Sequence, residues 1–544
     1  MREVAGHRDR AEGQLLVADA QSLSGMLVEQ ASIWPEAQAI VDVSRSWTWA
    51  ESARATGQIA AALVDRGVAR GERVGVHLNK GADGFHAMHA VVSVGAVAVP
   101  LDPSSPPSRL SHICEQMSID VVVSHAPRLR TLIEMHRLRP IRAIIGVASD
   151  ALDAPSVSFE ELEQLDPLSP HLVGADNPSY IITTSGSTGE PKGMVHTHRS
   201  ALAYAKMTLR TYGLVPEDRV SDIAPHHFDI STLSLWSVPL AGATNVVISE
   251  PYQLLPASHS QRLQDERVTY WYSVPFLLHQ LVLRGDLANR DLSALRWVHF
   301  GGEVISPQVI ADFMRAAPNA RFANIFGPAE TNQCTVAYFD EPPNPDEMLP
   351  VGRPLDHSHI RIIDPSAADP GLAHVVTRGE MWASTPQLME GYFEQPELNA
   401  QVLVECDGLT WYRSGDLVSV DDDGIMTFHG RVDHQVKVRG YRIELEGVEM
   451  ELEQLGYADH VIVAVLRSTS GEDELVAGLL GAPDDFEPEG FIHSAASILP
   501  AYSVPTRTVK LEAARFTGSG KLDRRLLRQE VLELAIDETL KEEH

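Results

Sequence analysis

The sequence predicts an α/β protein. We expect a large N-terminal domain of layered α/β subdomains with a small β-barrel-like subdomain, followed by a small mobile α+β C-terminal domain. Up to about residue 330, β-rich runs alternate with helical patterns, which is typical of largely parallel sheets. Short β runs with turn residues replace this alternation between about 357 and 429. From 435 onward, a strand, a charged helix and a second strand indicate a separate α+β unit.

The length of the chain supports the same division. Its 544 residues exceed what one hydrophobic core usually supports, so we expect at least two domains. The change of pattern places the boundary near residues 431–433. We therefore predict an N-terminal domain over 1–432 and a C-terminal domain over 433–544.

Individual elements follow from local patterns. A buried helix at 87–94 is expected to turn at Gly95 into a buried strand, because glycine adopts positive φ at little cost. A helix over 200–210 is predicted to stop at Gly213. The remaining predicted elements are helices beginning at 109 and spanning 230–240 and 445–455, a helix, a β stretch at 47–49 and a second helix within 22–67, and strands at 74–76, 95–100, 180–183, 194–196, 359–363, 380–383, 426–429, 436–438 and 461–465.

Charge and composition exclude several classes of protein. The net charge of −30 argues against a general nucleic-acid binder and against an anionic-membrane binder. The three cysteines are widely spaced and form no CxxC pair, so neither a disulfide scaffold nor a zinc site is expected. The charged N-terminus has no apolar core of a signal peptide, and the longest apolar run, near 87–101, is too short to cross a bilayer. We expect a cytoplasmic protein.

Residues 184–193 form the most informative short stretch, since three glycines, four hydroxyl side chains and a lysine fall within ten residues. Glycines let the backbone approach a ligand, and hydroxyls with successive N–H groups supply the donors that a polyphosphate needs. The stretch is no Walker A loop, because the second glycine of that motif would fall on Pro191. A surface linker is the alternative, but the strands predicted on both sides favour a phosphate-binding loop. Its candidate residues are Thr184, Ser185, Gly186, Ser187, Thr188, Gly189 and Lys192.

Several further motifs occur in order along almost the whole chain. They are VAVPLDP at 97–103, FDIS at 228–231, NIFGPAET at 324–331, YRSGDL at 412–417, GRVDHQVKVRG at 430–440, LPAYSVP at 499–505 and SGKLDR at 519–524. Together with the loop at 184–193, this series resembles the adenylate-forming enzymes, and among them the amino-acid adenylation enzymes of nonribosomal peptide synthesis. One such motif could arise by chance, but the ordered set is specific.

The resemblance implies that the chain activates an amino acid with ATP, releasing pyrophosphate. Lys521 is similar to the catalytic lysine that bridges the substrate carboxylate and the α-phosphate, where a cation separates two anions. Glu330 matches the ligand of Mg²⁺, an ion that prefers carboxylate and phosphate oxygens. Lys192 and the loop would contact the β- and γ-phosphates.

The same resemblance implies a nucleoside site and a moving domain. Phe326 stands where the family usually stacks a tyrosine on adenine, with Gly327 and Thr331 nearby, while Ala329 replaces a usual threonine. The residues expected at the ribose are Asp416, which would accept both hydroxyls, and Arg431, which could also meet phosphate. Asp433 matches the hinge of the C-terminal lid domain, and Gly440 matches the loop that lines the pantetheine tunnel.

Asp229 bears on the class of substrate. In the family an aspartate here pairs with the substrate's ammonium group, and simple fatty-acid or aryl-acid ligases generally lack it. A helix N-cap is the alternative role. The pocket positions carried over from the family are Ile230, Leu233, Tyr272, Val298, Phe300, Ile325, Gln333 and Cys334.

None of these pocket residues is charged, so we expect an uncharged, mainly apolar substrate side chain. Phe300 is bulky where the family often has a small residue, which would shorten or re-aim the pocket. Residues 226–231 resemble freestanding enzymes that activate β-amino acids for polyketide macrolactams, which favours a β-amino acid and leaves an α-amino acid open.

The acceptor is expected to be the phosphopantetheine thiol of a separate acyl or peptidyl carrier protein, because only a charged helical tail follows residue 524. Two alternatives remain at this point: an acyl-CoA synthetase, against which Asp229 argues, and a non-catalytic sensor on the same fold. Retention of Lys521, Glu330, Asp416 and Lys192 argues against the sensor.

Overall fold

The computed structural model describes residues 21–184, 190–364, 376–432, 435–468, 473–483, 486–515 and 522–542. Within them the predicted alternation of strands and helices is present, as are the antiparallel strands near 357–431. The α/β class expected from the sequence is confirmed.

The strands, numbered along the chain, are β1 Gln38–Val41, β2 Ser46–Thr48, β3 Arg73–His77, β4 Val97–Pro100, β5 Val121–Ser124, β6 Ala143–Gly146, β7 Ser156–Ser158, β8 Pro178–Thr184, β9 Lys192–Thr197, β10 Arg219–Asp222, β11 Thr244–Val247, β12 Tyr270–Ser273, β13 Trp297–Gly301, β14 Arg321–Phe326, β15 Thr335–Phe339, β16 Arg353–Pro354, β17 His359–Ile363, β18 Arg378–Ser384, β19 Gly391–Tyr392, β20 Leu403–Cys406, β21 Leu409–Val420, β22 Met426–Arg431, β23 Gln435–Val438, β24 Tyr441–Glu444, β25 His460–Leu466, β26 Glu474–Leu480 and β27 Arg507–Leu511.

The α-helices are α1 Met26–Ile33, α2 Trp49–Asp65, α3 Ala82–Ser93, α4 Pro107–Gln116, α5 Leu129–Leu138, α6 Phe159–Leu162, α7 His198–Tyr212, α8 Val238–Ala241, α9 Glu250–Leu254, α10 Pro256–Asp265, α11 Pro275–Arg284, α12 Pro307–Ala316, α13 Pro396–Val402, α14 Leu445–Glu453, α15 Pro488–Ala496 and α16 Arg524–Glu542.

Two large sheets form the layered part of the fold. The first has nine strands in the order β16-β15-β14-β13-β12-β10-β11-β1-β2, parallel from β14 to β1 and antiparallel at both edges. The second has eight strands in the order β19-β9-β8-β4-β3-β5-β6-β7. Helices cover such sheets on both faces, so their central strands are largely apolar, as in the fully buried β4.

Local signals begin and end the helices. Thr48 caps α2 in a capping box with Glu51, which satisfies backbone N–H groups that the helix cannot pair. Gly213 ends α7 in the left-handed conformation, as predicted. Gly95, with φ of 78°, turns the chain from α3 into β4.

Strands between residues 359 and 431 form a five-stranded antiparallel sheet. Its strands pair in the order β17-β18-β21-β20, and β22 also pairs with the long strand β21. This hydrogen-bonding pattern fits the antiparallel subdomain that the sequence predicts. The β21–β22 pairing brings the two strands that carry Asp416 and Arg431 into register.

The chain divides into two compact units. The first contains residues 1–103, 117–183 and 193–432, and the second contains 104–116, 184–192 and 433–544, each to the extent that its residues are described. In the second unit β25, β26 and β27 form a three-stranded sheet. The buried carboxylate of Glu449 accepts hydrogen bonds there from Arg524, Arg528 and the N–H of Val463, so its charge is balanced inside the unit.

Two local expectations differ from the structure. The β stretch expected at 47–49 is the strand β2, which ends at Thr48, and its partner β1 was not predicted. The helix expected over 230–240 is irregular, with a 3-10 turn at Asp229–Ser231, a π-helical turn at Leu233–Ser237 and then α8. Such π turns often occur at functional sites because they re-aim side chains.

Candidate active site

Residues expected to line the amino acid pocket pack together on one face of the nine-stranded sheet. Tyr272 of β12, Ile325 of β14 and Leu233 belong to one buried cluster, and Ile230 packs against it. Side chains of a strand alternate between faces, so membership of one cluster marks one side of the sheet. We call this side the pocket face and define it by Leu233, Tyr272 and Ile325.

Val298 and Phe300 lie on the opposite face, and the assignment of both residues to the pocket is wrong. Both are fully buried in a separate cluster with Trp271 and Phe322. A shift of one residue along a strand moves a side chain to the other side of the sheet. We call this opposite side the core face, defined by Trp271, Val298 and Phe300. Phe300 therefore packs in the core and does not shorten the pocket, contrary to the expectation from the sequence.

His299 is the β13 side chain that meets the pocket face instead. It lies in register with Tyr272 on β12 and with Ala323 on β14. Its ring centroid is 4.3 Å from that of Tyr212 and 4.6 Å from that of Tyr270. Nδ1 lies 2.5 Å from the Tyr270 hydroxyl, and burial lowers the pKa of His299 well below its usual value, so the ring is neutral. Motif matching missed it because β13 is buried on both sides and shows no alternation.

Asp229 is the first residue of the 3-10 turn, and Phe228 holds the N-cap position before it. The N-cap alternative therefore does not describe the place of Asp229. Its Oδ1 accepts from the N–H of Ile230 at 2.9 Å, and its carbonyl accepts from the Thr232 hydroxyl at 2.6 Å. The Thr232 hydroxyl also lies 3.4 Å from Oδ1 of Asn332, which links this turn to the loop after β14.

Three buried phenols feel the charge of the Asp229 carboxylate. Burial is the main cause that raises the pKa values of Tyr180, Tyr204 and Tyr272, and the charge of Asp229 raises them further. The three hydroxyls are therefore protonated. Low-polarity surroundings strengthen the attraction between a carboxylate and a cationic ligand.

Gln333 is held by hydrogen bonds at both ends of its amide. Its Oε1 accepts from the Tyr212 hydroxyl at 2.9 Å, and its Nε2 donates to the Tyr204 hydroxyl at 3.2 Å. Its backbone carbonyl accepts from Nε2 of Gln387 at 2.6 Å. These bonds hold the uncharged Gln333 side chain in place beside the candidate pocket and connect it to α7.

The loop between β14 and β15 folds tightly around the remaining motif residues. A Cβ atom at Gly327 would lie 1.9 Å from the carbonyl oxygen of Asn332, so only glycine fits there. The N–H of Cys334 donates to the carbonyl of Phe326 at 2.8 Å, and its Sγ lies 2.9 Å from the hydroxyl of Thr331. Burial raises the pKa of Cys334 to about 12, so this thiol stays protonated and serves packing.

Glu330 is a fully buried carboxylate in the same loop. The Tyr392 hydroxyl donates to its Oε1 at 2.6 Å, and the N–H of Met389 donates to its backbone carbonyl at 2.8 Å. A positioned carboxylate is the hard oxygen ligand that Mg²⁺ takes together with phosphate oxygens. The residues present therefore fit the ion that the sequence motif implies.

Asp416 and Arg431 face one another across β21 and β22. Arg431 Nη1 donates to Asp416 Oδ1 at 2.6 Å, and its Nη2 donates to the carbonyl of Ser414 at 3.0 Å. The carboxylate is nearly buried, and it can accept hydrogen bonds from ribose hydroxyls while Arg431 balances its charge. Phe326 packs 5.5 Å from the ring of Phe428, which leaves an aromatic surface suited to a planar base.

Within the described residues, the structure does not bring the other predicted site residues together. Thr184 ends β8, Lys192 begins β9, and Gly440, with φ of 89°, forms the turn between β23 and β24. The residues that fall outside the described ranges are Ser185, Gly186, Ser187, Thr188, Gly189, Asp433 and Lys521. Their roles stay predictions.

Two further features are absent from the described ranges. Among these residues no helix is long and apolar enough to cross a membrane. The same part of the chain contains no cluster of three or more His, Cys, Asp or Glu side chains arranged for a metal ion.

Comparison with known proteins identifies the family. The profile of the family described as AMP-binding enzyme matches residues 27–393. Phenyloxazoline synthase MbtB of Mycolicibacterium paratuberculosis is 30% identical over 528 residues, which are 96% of this chain and 43% of that protein. The L-proline--[L-prolyl-carrier protein] ligase of Pseudomonas fluorescens is 30% identical over 505 residues, covering 92% of this chain and 97% of the ligase. The chain thus spans less than half of the first relative.

A solved structure agrees in fold. The amide bond synthetase McbA from Marinactinospora thermotolerans matches with a TM-score of 0.82 and 23% identity, over 93% of this chain and 99% of that chain. At this level of identity the likeness concerns the fold, and it covers both the layered sheets and the C-terminal part of the chain.

Proposed function

This chain belongs to the family of AMP-binding enzymes, and we propose that it activates an amino acid as its aminoacyl adenylate. The observation that carries the proposal is the position of Asp229 beside the pocket face. A carboxylate among neutral phenols suits a substrate ammonium group, which a fatty acid or aryl acid would not bring.

The proposed first step is an in-line displacement at the α-phosphorus of ATP. A substrate carboxylate oxygen forms the new P–O bond while the bond to the bridging oxygen of the β-phosphate breaks, so pyrophosphate leaves. Lys521 would stabilise the charge between carboxylate and phosphate, and Lys192 with the loop at 184–189 would hold the leaving group. Mg²⁺ bound at Glu330 would neutralise phosphate charge.

For the nucleoside half of the site, Phe326 would offer a ring face to adenine, and the carboxylate of Asp416 would accept from the ribose hydroxyls while Arg431 holds it in place. Gly327 and Thr331 shape the backbone that lies against the nucleotide.

The proposed substrate has an uncharged side chain. The described residues of the pocket face offer a substrate side chain no charged partner: Tyr272 is a protonated phenol, Gln333 is an amide, and His299, which takes the place expected for Val298 and Phe300, has a neutral ring. We favour a β-amino acid on the resemblance of residues 226–231, with an α-amino acid as the second candidate.

In the second proposed step, a thiol attacks the acyl carbon of the adenylate and AMP leaves. A phosphopantetheine thiol on a separate carrier protein is the proposed acceptor, and the relative from Pseudomonas fluorescens is named for a carrier protein. The runner-up is coenzyme A. Incubation of the adenylate with each thiol, followed by mass spectrometry, separates them.

The direct test is ATP–pyrophosphate exchange with a panel of α- and β-amino acids and the matching acids that lack the amino group. We expect exchange only with amino acids, and Lys521→Ala should remove it while ATP binding persists. Exchange that is equal with and without the amino group would contradict the proposal, and so would full activity of Lys521→Ala.

A further inference from the structure

A buried ring nitrogen on the pocket face lacks a hydrogen-bond partner. Nε2 of His299 is inaccessible to solvent, and among the described residues nothing donates to it or accepts from it. Buried polar atoms in folded proteins are nearly always paired, and an exception calls for an explanation such as a ligand. The other ring nitrogen, Nδ1, is already bonded to the Tyr270 hydroxyl.

The place of His299 connects this nitrogen to the candidate pocket. Its register neighbour Tyr272 lies on the pocket face, and the two ring centroids are 6.1 Å apart. Trp297, two residues earlier on the same strand, packs in the cluster that contains Leu233 and Ile325. His299 therefore stands on the side of the sheet where the substrate side chain is proposed to lie.

Two polar side chains near His299 are already paired within the protein, whereas Nε2 of His299 is not. The Gln333 amide is shared between Tyr204 and Tyr212, and the Trp297 indole N–H donates to the carbonyl of Tyr212 at 2.8 Å. A substrate group that replaced any of these bonds would leave a buried group unsatisfied.

We propose that His299 is a specificity-determining residue, and that Nε2 binds a hydroxyl on the side chain of the substrate amino acid. The proposal rests on the proposed function and names its substrate class. A hydroxyl both donates and accepts, so it fits either neutral tautomer of the ring. A charged group does not fit, since the ring is enclosed by Tyr212, Tyr270 and Trp297 and stays neutral.

A structural role is the competing account. The ring of His299 meets that of Tyr212 nearly edge-on, at an interplanar angle of 68°, and an N–H could point at the ring face. Under this account His299 stabilises the protein and does not distinguish substrates with and without a hydroxyl.

ATP–pyrophosphate exchange assays on the full chain distinguish the two accounts, using pairs of amino acids of similar shape with and without a hydroxyl. The pairs are tyrosine with phenylalanine, threonine with valine, and the β-amino homologues of each. For wild type we expect kcat/KM to favour the hydroxylated member of the best pair by about tenfold or more, the size of one unmade buried hydrogen bond. This measurement needs only the wild-type protein.

His299→Leu should reduce that ratio to within about threefold, chiefly through the apolar member becoming a better substrate. His299→Gln keeps a polar end and should retain part of the preference. Val298→Ala, on the core face of the same strand, is the matched control and should leave the ratio unchanged. Thermal unfolding of each variant checks that the fold persists.

The proposal is overturned if the wild-type protein prefers the apolar member of every pair. It is also overturned if His299→Leu lowers kcat/KM equally for both members of the best pair. Failure of the proposed function looks different, since then no amino acid supports exchange, and both proposals fall. Exchange with amino acids but no hydroxyl preference rejects the role of His299 alone.

Discussion

The two faces of strands β12 to β14 are built from alternate residues of the same short segments and differ in kind. On the core face, Trp271 stacks on Phe313 with ring centroids 5.7 Å apart, and Val298 and Phe300 fill the remaining space. On the pocket face, phenols, an amide and an imidazole form hydrogen bonds between neighbouring elements. Apolar packing completes the first face, whereas the second keeps polar groups in fixed directions.

Two buried histidines, one beside each face, make the difference concrete. On the core face His259 accepts from the Trp271 indole N–H at 3.3 Å, while on the pocket face Nε2 of His299 has no partner among the described residues. The His259 ring is thus bonded within the fold, whereas Nε2 of His299 is the ring nitrogen that the proposal above assigns to a ligand.

The largest effect is expected at the pocket face from Asp229→Ala. Removing one partner of a buried charge pair costs about 2–5 kcal/mol, so kcat/KM for the amino acid should fall by about 30-fold to several thousandfold. The matching acid without an amino group should be affected far less. Exchange kinetics measure both values. An equal loss of kcat/KM for both acids would show that Asp229 does not recognise the amino group.

Phe300→Ala addresses the core face. Truncating a buried phenylalanine typically costs about 3–5 kcal/mol of stability, because a cavity remains where the ring packed. We expect a lower midpoint in denaturant unfolding, with the ranking of amino acid substrates unchanged. If the ranking of amino acid substrates changed at a temperature where the variant is folded, Phe300 would have to line the pocket. That result would contradict the assignment of Phe300 to the core face.

Gln333→Leu should break the hydrogen bonds that brace the pocket wall. The Tyr212 hydroxyl would lose the amide oxygen that accepts from it, and an unsatisfied buried group costs about 1–3 kcal/mol. Stability should fall by that amount, and substrate ranking should change as well because the wall moves. A loss of stability with an unchanged substrate ranking would show that Gln333 supports the fold and does not line the pocket.

The smallest effect concerns pH. Burial lowers the pKa of His259 to about 3, so the unfolded chain binds this proton more readily than the folded chain does. The stability from the neutral ring is complete above pH 6.5 and is lost as pH falls toward 3, at about 1.4 kcal/mol per pH unit. In His259→Gln the free energy of unfolding should fall less steeply between pH 6.5 and 5, because this contribution to the slope is removed. An unchanged slope would mean that His259 is protonated in the fold.

The sequence predicts the α/β class, the antiparallel sheet and the positions of most strands, since these depend on patterns spanning many residues. It fails at β13 for a physical reason. Trp297, Val298, His299 and Phe300 are all buried, so hydrophobicity does not indicate which residue faces which side. Only pairing with β12 and β14 resolves the register, and this pairing is a tertiary property.

The segment after Asp229 shows a second limit. Its composition favours a single helix, yet the chain forms a 3-10 turn and a π turn before α8, with Pro239 at the start of that short helix. Such a path is set by side-chain packing against α7 and by the link from Thr232 to Asn332. Motifs could identify Asp229 and Glu330, but not the tyrosines around the first or the Tyr392 hydroxyl on the second.

The most direct measurement is a crystal structure with the non-hydrolysable aminoacyl-sulfamoyl adenosine of the amino acid that exchanges best. We predict its ammonium group within about 3 Å of the Asp229 carboxylate, at hydrogen-bonding distance. Its side chain should lie against Tyr272, His299 and Ile325. A side chain lying against Val298 and Phe300, or an ammonium group remote from Asp229, would contradict the assignment of the two faces.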